Sequence, residues 1–158
     1  MDEQAKKQTL RMIPYGLYVL TARDGTGANG ATVSWLSQAA FEPPRIVVGL
    51  RNDSGIQERV EATGEFVVNV LGSGQHELAS AFFRHVELDG ETLGGARFHE
   101  GVTGAPILDD VPAYLECHVV EMLDAGDHTV VLADIVEAGV QNDLGILDLA
   151  QTNWHYGG

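Results

Sequence analysis

The strongest constraint in this sequence is its punctuation: strand-length runs of β-branched and aromatic residues, each closed by glycine, proline or an acidic turn. Gly16 to Arg23, Ala31 to Phe41, Arg45 to Arg51, Phe66 to Leu71, Ala113 to Met122 and His128 to Ala138 all read as strands. Pro43-Pro44 stops the second of these, because proline has no N–H to give a ladder. Helical signals are fewer. Asp2 to Met12 carries good helix formers and predicts a helix ending near Pro14. Ser54 caps a short helix over Gly55 to Thr63, which Gly64 closes. Ser73 opens another, with Leu78, Ala79, Phe82 and Phe83 at three- and four-residue spacing. Asp24 to Gly30 and Asp124 to Asp127 are turn clusters, and Arg84 to Ala96 is a polar loop without a strong pattern. Many short strands, few helices and no repeat predict a mainly β chain. The architecture expected is a β-barrel with a few short appended helices, not a doubly wound sheet.

A length of 158 residues, 44% of them hydrophobic, fits one domain spanning 1–158. The longest apolar runs, such as Ile46 to Leu50, fall far short of the ~20 residues a membrane helix needs. Met1 to Gln4 shows no basic region followed by an apolar stretch, and the single Cys117 leaves no internal disulfide. These features predict a cytoplasmic protein with no membrane association. Net charge is −14, and every Lys and Arg lies at or before Arg97. From Phe98 to Gly158 there are eleven Asp and Glu and no Lys or Arg. Nucleic acid is therefore not an expected partner, since that affinity rests on cations neutralising phosphates. Any charged side chain that grips a phosphorylated ligand must come from the first 97 residues.

Several motifs fail on context. Gly25, Gly27 and Gly30 match G-x-G-x-x-G after a strand, but the residues that follow are β-branched where a dinucleotide site needs a helix. The match reads as a glycine-rich hairpin loop. His85-Val86-Glu87 has the H-x-E of zinc deaminases without the paired cysteines, and no metal site is expected. Cys117 and His118 are neighbours on a strand, so their side chains point to opposite faces and cannot act as nucleophile and base. Cys117 reads as a half-buried structural residue. Asn52-Asp53-Ser54 matches a glycosylation site only by pattern, and no G-x-S-x-G elbow is present.

One stretch does carry chemistry. Thr32, Ser34 and Ser37 put hydroxyls on or beside one strand, and Arg51 and Ser54 follow, the latter at a helix N-terminus. Hydroxyls, one arginine and a helix N-terminus suit a phosphate, with Trp35, Leu36 and Phe82 as an apolar wall. From the residues alone, the same hydroxyls also fit the solvent face of a strand.

Gly16-Leu-Tyr-Val-Leu-Thr-Ala, Gly30-Ala-Thr-Val-Ser-Trp-Leu-Ser-Gln-Ala-Ala-Phe-Glu-Pro-Pro and Gly64-Glu-Phe-Val-Val-Asn-Val-Leu resemble the flavin reductase-like family of FMN-binding split β-barrels. Leu78-Ala-Ser-Ala-Phe82, Glu116-Cys-His-Val and Gly126-Asp-His-Thr continue the match in order, covering about Thr9 to Ala138. The subgroup it most resembles is that of flavin-binding modules working with flavodiiron and rubredoxin-type electron carriers. The resemblance implies a Greek-key split barrel and a homodimer holding FMN, with FAD as the alternative flavin. It implies that Thr32, Val33, Ser34, Trp35, Leu36 and Ser37 line the ring and phosphate side. Arg51 and Ser54 would bind phosphate, and Phe82 would pack near the cofactor. Gln57 stands where many relatives carry Thr or Ser.

Gly126-Asp127-His128 matches the family's GDH motif and places His128 by the nicotinamide of NADH or NADPH; a tight turn with a solvated histidine is the plainer reading. The missing cations after Arg97 favour NADH. The activity implied is hydride transfer from NAD(P)H to flavin, serving a partner oxygenase or electron carrier. Two other functions fit: an FMN electron-transfer module reduced by a protein partner, and a split barrel that has lost flavin.

Overall fold

The sheet explains the barrel. In the computed structural model, which describes residues 1–86 and 88–158, the chain runs through a helix α1 (Glu3–Leu10) into a hairpin of β1 (Tyr18–Asp24) and β2 (Gly27–Val33). β3 (Leu36–Ala40), β4 (Arg45–Arg51), α2 (Gly55–Thr63) and β5 (Glu65–Val70) follow, then α3 (His76–Ala81). Two-residue strands β6 (Leu88–Asp89) and β7 (Thr92–Leu93) lead to β8 (Ala96–Glu100) and β9 (Pro106–Leu108). The long hairpin of β10 (Ala113–Asp124) and β11 (His128–Val140) precedes a single 3-10 turn at Leu149–Gln151. Seven strands form one sheet in the order β2-β1-β5-β10-β11-β4-β3.

Its two edge strands, β2 and β3, are joined by Ser34 and Trp35 alone. Laid flat, seven strands would hold their edges about 29 Å apart. Three residue steps reach only about 11 Å. The sheet must therefore curl until its edges meet, and the result is a split barrel. The two-residue link also corrects the single strand expected over Ala31 to Phe41. Ser34 breaks it, with Leu36 N–H donating to Ser34 O (3.1 Å) and Gly49 N–H to Trp35 O (2.9 Å).

Period-two patterning fills the interior. Ile46, Val48 and Leu50 of β4 point inward with Leu20 and Ala22 of β1 and Phe66 and Val68 of β5. Ile56 and Val60 of α2 plug one end of the same core. Opposite faces of β1 and β5 are buried too, because the small sheet β6-β7-β8-β9 covers them. Asn69 stitches this contact: its amide donates to Val19 O (3.0 Å) and its carbonyl accepts from Leu108 N–H (2.8 Å). That sheet occupies part of the stretch expected as a loop from Arg84 to Ala96. Such short strands leave almost no periodic signal.

Other differences are local. The hairpin turn is confined to Gly25 and Thr26, so Gly27 to Gly30 lie in β2 and not in a turn cluster, and no helix follows them. α3 begins at His76 rather than Ser73, and Gln75 caps it without a side-chain bond. α2 matches expectation, with Ser54 at its N-cap and Gly64 in the left-handed conformation (φ 70°) at its end. Cys117 is wholly buried rather than half-buried, and burial pushes its thiol up to about 12. Its neighbour His118 is exposed and pairs with Glu65. Glu87 of the H-x-E match lies outside the described residues. Among the described residues no helix is long and apolar enough to cross a membrane.

Candidate functional site

A cleft of about 620 Å³ opens where β2, the end of β4, the start of α2 and the residues after α3 converge with residues 149–156. Its size is that of a small-molecule site. At one end stands α2. Ser54 accepts from Gln57 N–H, while the amides of Gly55 and Ile56 precede any intrahelical acceptor and line the cleft. Asn29, 7% exposed, holds its carbonyl on Gly30 N–H (2.8 Å). Its amide nitrogen then sits 2.8 Å from where a Cβ on Gly55 would fall, so a side chain there would displace the Asn29 amide. Arg51 joins this end, with its Nε 2.9 Å from Asp53 Oδ1 and a second nitrogen on Oδ2. The guanidinium holds the Asp53 carboxyl below the usual carboxylate range, and Asp53 in turn raises Arg51.

The aromatic wall comes from β2's neighbours. Thr32 N–H donates to Phe82 O (3.1 Å) and its hydroxyl to Ala79 O (2.7 Å), which pins the end of α3 against β2. Phe82 is thereby set into the cleft with 2% of its surface exposed. Gly30 allows this approach, since a Cβ there would lie 2.8 Å from the ring.

A smaller pocket of about 480 Å³ adjoins the cleft and shares Arg51, Asp53 and Tyr156 with it. β-Sheet register puts His128 opposite Arg51, and Asn52 locks the hairpin there by donating to Gly126 O (2.8 Å) and accepting from the Thr129 hydroxyl (2.7 Å). His128 is 9% exposed, with Nδ1 2.8 Å from Asp127 Oδ1 and Nε2 2.7 Å from the Tyr156 hydroxyl. The hydrogen bond from His128 holds Asp127 below the usual carboxylate range, and burial raises the Tyr156 phenol. Trp35 walls this corner, its ring 4.5 Å from His128 and 5.1 Å, edge-on, from Tyr156. Its indole N–H is buried beneath Gly157 with no hydrogen-bond partner among the described residues. Such an orphan costs about 1–3 kcal/mol.

The cleft therefore gathers Thr32, Val33, Ser34, Arg51, Ser54 and Phe82 of the residues singled out in the sequence. Trp35 and His128 line the adjoining pocket instead. Three stand elsewhere. Leu36 packs toward the barrel core, Ser37 is exposed with its hydroxyl on Gln38 O (3.1 Å), and Gln57 is buried and donates to Glu61 (3.3 Å). The hydroxyls of Thr32, Ser37 and Ser54 all give their one proton to a backbone carbonyl, so each has only acceptor capacity left. Among the described residues, the Asn29 amide and the first helical amides are donors without a partner at the α2 end. Asn29, Arg84 and Tyr156 also line the cleft, and no motif in the sequence marks them. Arg84 answers the constraint on cations, since it lies before residue 97.

A family model described as the flavin reductase-like domain matches residues 10–157. The chain belongs to the flavin reductase-like family. Diflavin flavoprotein A 1 of Synechocystis sp. is 31% identical over 147 residues, covering 92% of this chain and 26% of that protein. The chain thus spans about a quarter of the length of the curated relatives it first matches. Among solved members of this fold, the NADH:FAD oxidoreductase of Streptomyces globisporus C-1027, in complex with NAD and FAD fragments, superposes with a TM-score of 0.74. It is 26% identical, covering 89% of this chain and 85% of that one. The styrene monooxygenase flavin reductase of Pseudomonas putida S12 gives 0.73 at 25% identity, with 84% of each chain covered. In this flavin reductase-like chain the cleft and the adjoining pocket differ in kind, the cleft bordered by the backbone donors of α2 and the pocket by aromatic rings, with Arg51, Asp53 and Tyr156 lining both.

Proposed function

We propose that this chain is a flavin-binding oxidoreductase that passes hydride from NADH or NADPH to flavin. The observation that carries the reading is the cleft itself, in a chain of this family: donors at the start of α2, an adjoining aromatic pocket, and a volume suited to a small molecule. The residues fit a flavin nucleotide. Gly55 and Ile56 amides, Asn29 and Arg51 would hold a phosphate, favouring FMN, with FAD as the alternative. Phe82 and Val33 would pack on the apolar ring, and Ser34 would meet its polar edge. A bound flavin supplies the hydride acceptor at N5. The protein's part is position and exclusion of water, with His128 orienting the nicotinamide-side ligand and not donating a proton. Asp53 has to release Arg51 before phosphate can take it, an exchange that is easy because the pair is solvent-exposed. NADH is the preferred donor, a homodimer the preferred assembly, and an oxygenase or electron carrier the acceptor of reducing equivalents.

The test is the visible spectrum of the purified protein with FMN, before and after anaerobic NADH. Flavin bands that bleach on NADH are expected; bound flavin that stays oxidised with both NADH and NADPH sinks the reductase reading. A second reading, an electron-transfer module reduced by a protein partner, is favoured by one observation: the chain matches about a quarter of a longer diflavin flavoprotein. Bound FMN that resists nicotinamides yet is reduced by a protein donor would select it.

A further inference from the structure

His128 does not line the main cleft, whereas Tyr156 lines both the cleft and the pocket where His128 lies. The hydrogen bonds fix how the two residues divide the work. Asp127 is held ionised, and an ionised carboxylate only accepts, so Nδ1 of His128 carries the ring proton. In the neutral ring Nε2 is then a bare acceptor, and the Tyr156 hydroxyl 2.7 Å away is its donor. Burial keeps that phenol protonated through the neutral range. With its only proton turned toward His128, the Tyr156 oxygen presents lone pairs. Trp35 holds both rings in place, in contact with His128 and edge-on to Tyr156.

We infer that Tyr156 is the contact residue at this end of the cleft, its oxygen accepting from an amide or imide N–H of the ligand, with Asp127 and His128 as positioning residues behind it. Two ligands carry such a group in a plane, the carboxamide of nicotinamide and the imide of a flavin ring. The assignment rests on the proposed function for its ligands but on the hydrogen-bond chain for its logic. It replaces a histidine meeting the ligand directly with a tyrosine oriented by that histidine.

Four proteins test it: wild type, Tyr156→Phe, His128→Gln and the double variant, each with FMN affinity from flavin fluorescence and KM for NADH. Tyr156→Phe is expected to weaken one of the two by about threefold to tenfold, with the native circular dichroism spectrum retained and the melting temperature lowered by a few degrees for the lost bond to His128. A change in NADH KM alone assigns the carboxamide, and one in FMN affinity alone assigns the imide. His128→Gln should add less than about twofold in the Tyr156→Phe background, because positioning residues lose their effect once the contact is gone. Full additivity, or unchanged values for Tyr156→Phe, overturns the inference. Nitrogen-15 shifts of His128 supply a readout independent of activity. The Nδ1–H tautomer is expected, and an Nε2–H tautomer overturns the inference even if the protein reduces flavin. A wild type that binds FMN but oxidises neither NADH nor NADPH defeats the reductase reading alone, leaving the FMN arm to decide this one.

Discussion

At the α2 end of the cleft, the polar groups come from two stretches close in sequence, Asn29 to Ser34 and Arg51 to Ile56. In the adjoining pocket, across the β4–β11 pairing from Arg51, His128 meets a tyrosine 28 residues further along and a tryptophan from the link between β2 and β3. The foundations differ as well. α2 is rooted in the barrel interior through Ile56 and Val60, which are 2% and 0% exposed. The backbone of the His128 corner is set by the β11–β4 pairing, but its side chain is held by ring packing and by Asp127, whose side chain is 92% exposed. Ligand affinity and fold stability should therefore move together at the α2 end and separately at the corner.

Ile56→Ala gives the largest expected effect. Truncating a buried aliphatic side chain costs about 2–5 kcal/mol, and here it also loosens the donors at the helix start. Urea denaturation should show that loss alongside weakened FMN binding. A stability loss under about 1 kcal/mol would mean α2 is not rooted in the core. Ser54→Ala comes next, at about 1 kcal/mol, with Ser54→Gly costing only a few tenths because glycine tolerates the cap conformation. The order of these two matters more than their size. Equal losses would place the role of Ser54 outside the cap.

What could be read from the sequence follows the same division. Ser54, the helix after it and Gly64 were legible because caps and left-handed glycines are written in a few adjacent residues. β4 was legible residue for residue because Ile46, Val48 and Leu50 alternate cleanly. The split between β2 and β3 was not, since Ser34 and Trp35 continue the same β-rich composition. The sequence shows Thr32 as a hydroxyl, yet its proton belongs to Ala79 O, a partner 47 positions away. Tyr156 was invisible for a related reason. Only the pairing of β11 with β4 brings His128 beside Arg51 in the adjoining pocket, and no local pattern says what will cover it.

Trp35→Phe sharpens the contrast from the corner side. The substitution removes some ring area and also the unpartnered indole N–H, two effects of opposite sign. Stability within about 1 kcal/mol of wild type is expected from denaturation midpoints, together with altered NADH KM. A loss above about 2 kcal/mol would reveal that the N–H is satisfied in solution.

The smallest effect compares two carboxylates of the adjoining pocket, one of which also lines the cleft. Arg51 depresses Asp53, which borders both, and His128 depresses Asp127, which borders the pocket. A carboxyl whose folded value lies below its unfolded value of about 3.9 stabilises the fold fully above that pH, and loses the contribution as pH falls through the folded value. Asp53→Asn and Asp127→Asn should each flatten the fall in melting temperature below about pH 4 and leave the slope between about pH 6 and 8 unchanged. Both carboxylates are solvent-exposed, so salt should shrink the effect. The two variants part company in binding at neutral pH. Asp53→Asn frees Arg51 and should tighten FMN, whereas Asp127→Asn releases the His128 tautomer and should act on whichever ligand Tyr156 meets. If both variants change the same ligand's affinity in the same direction, the cleft and the adjoining pocket act as one electrostatic site and not two.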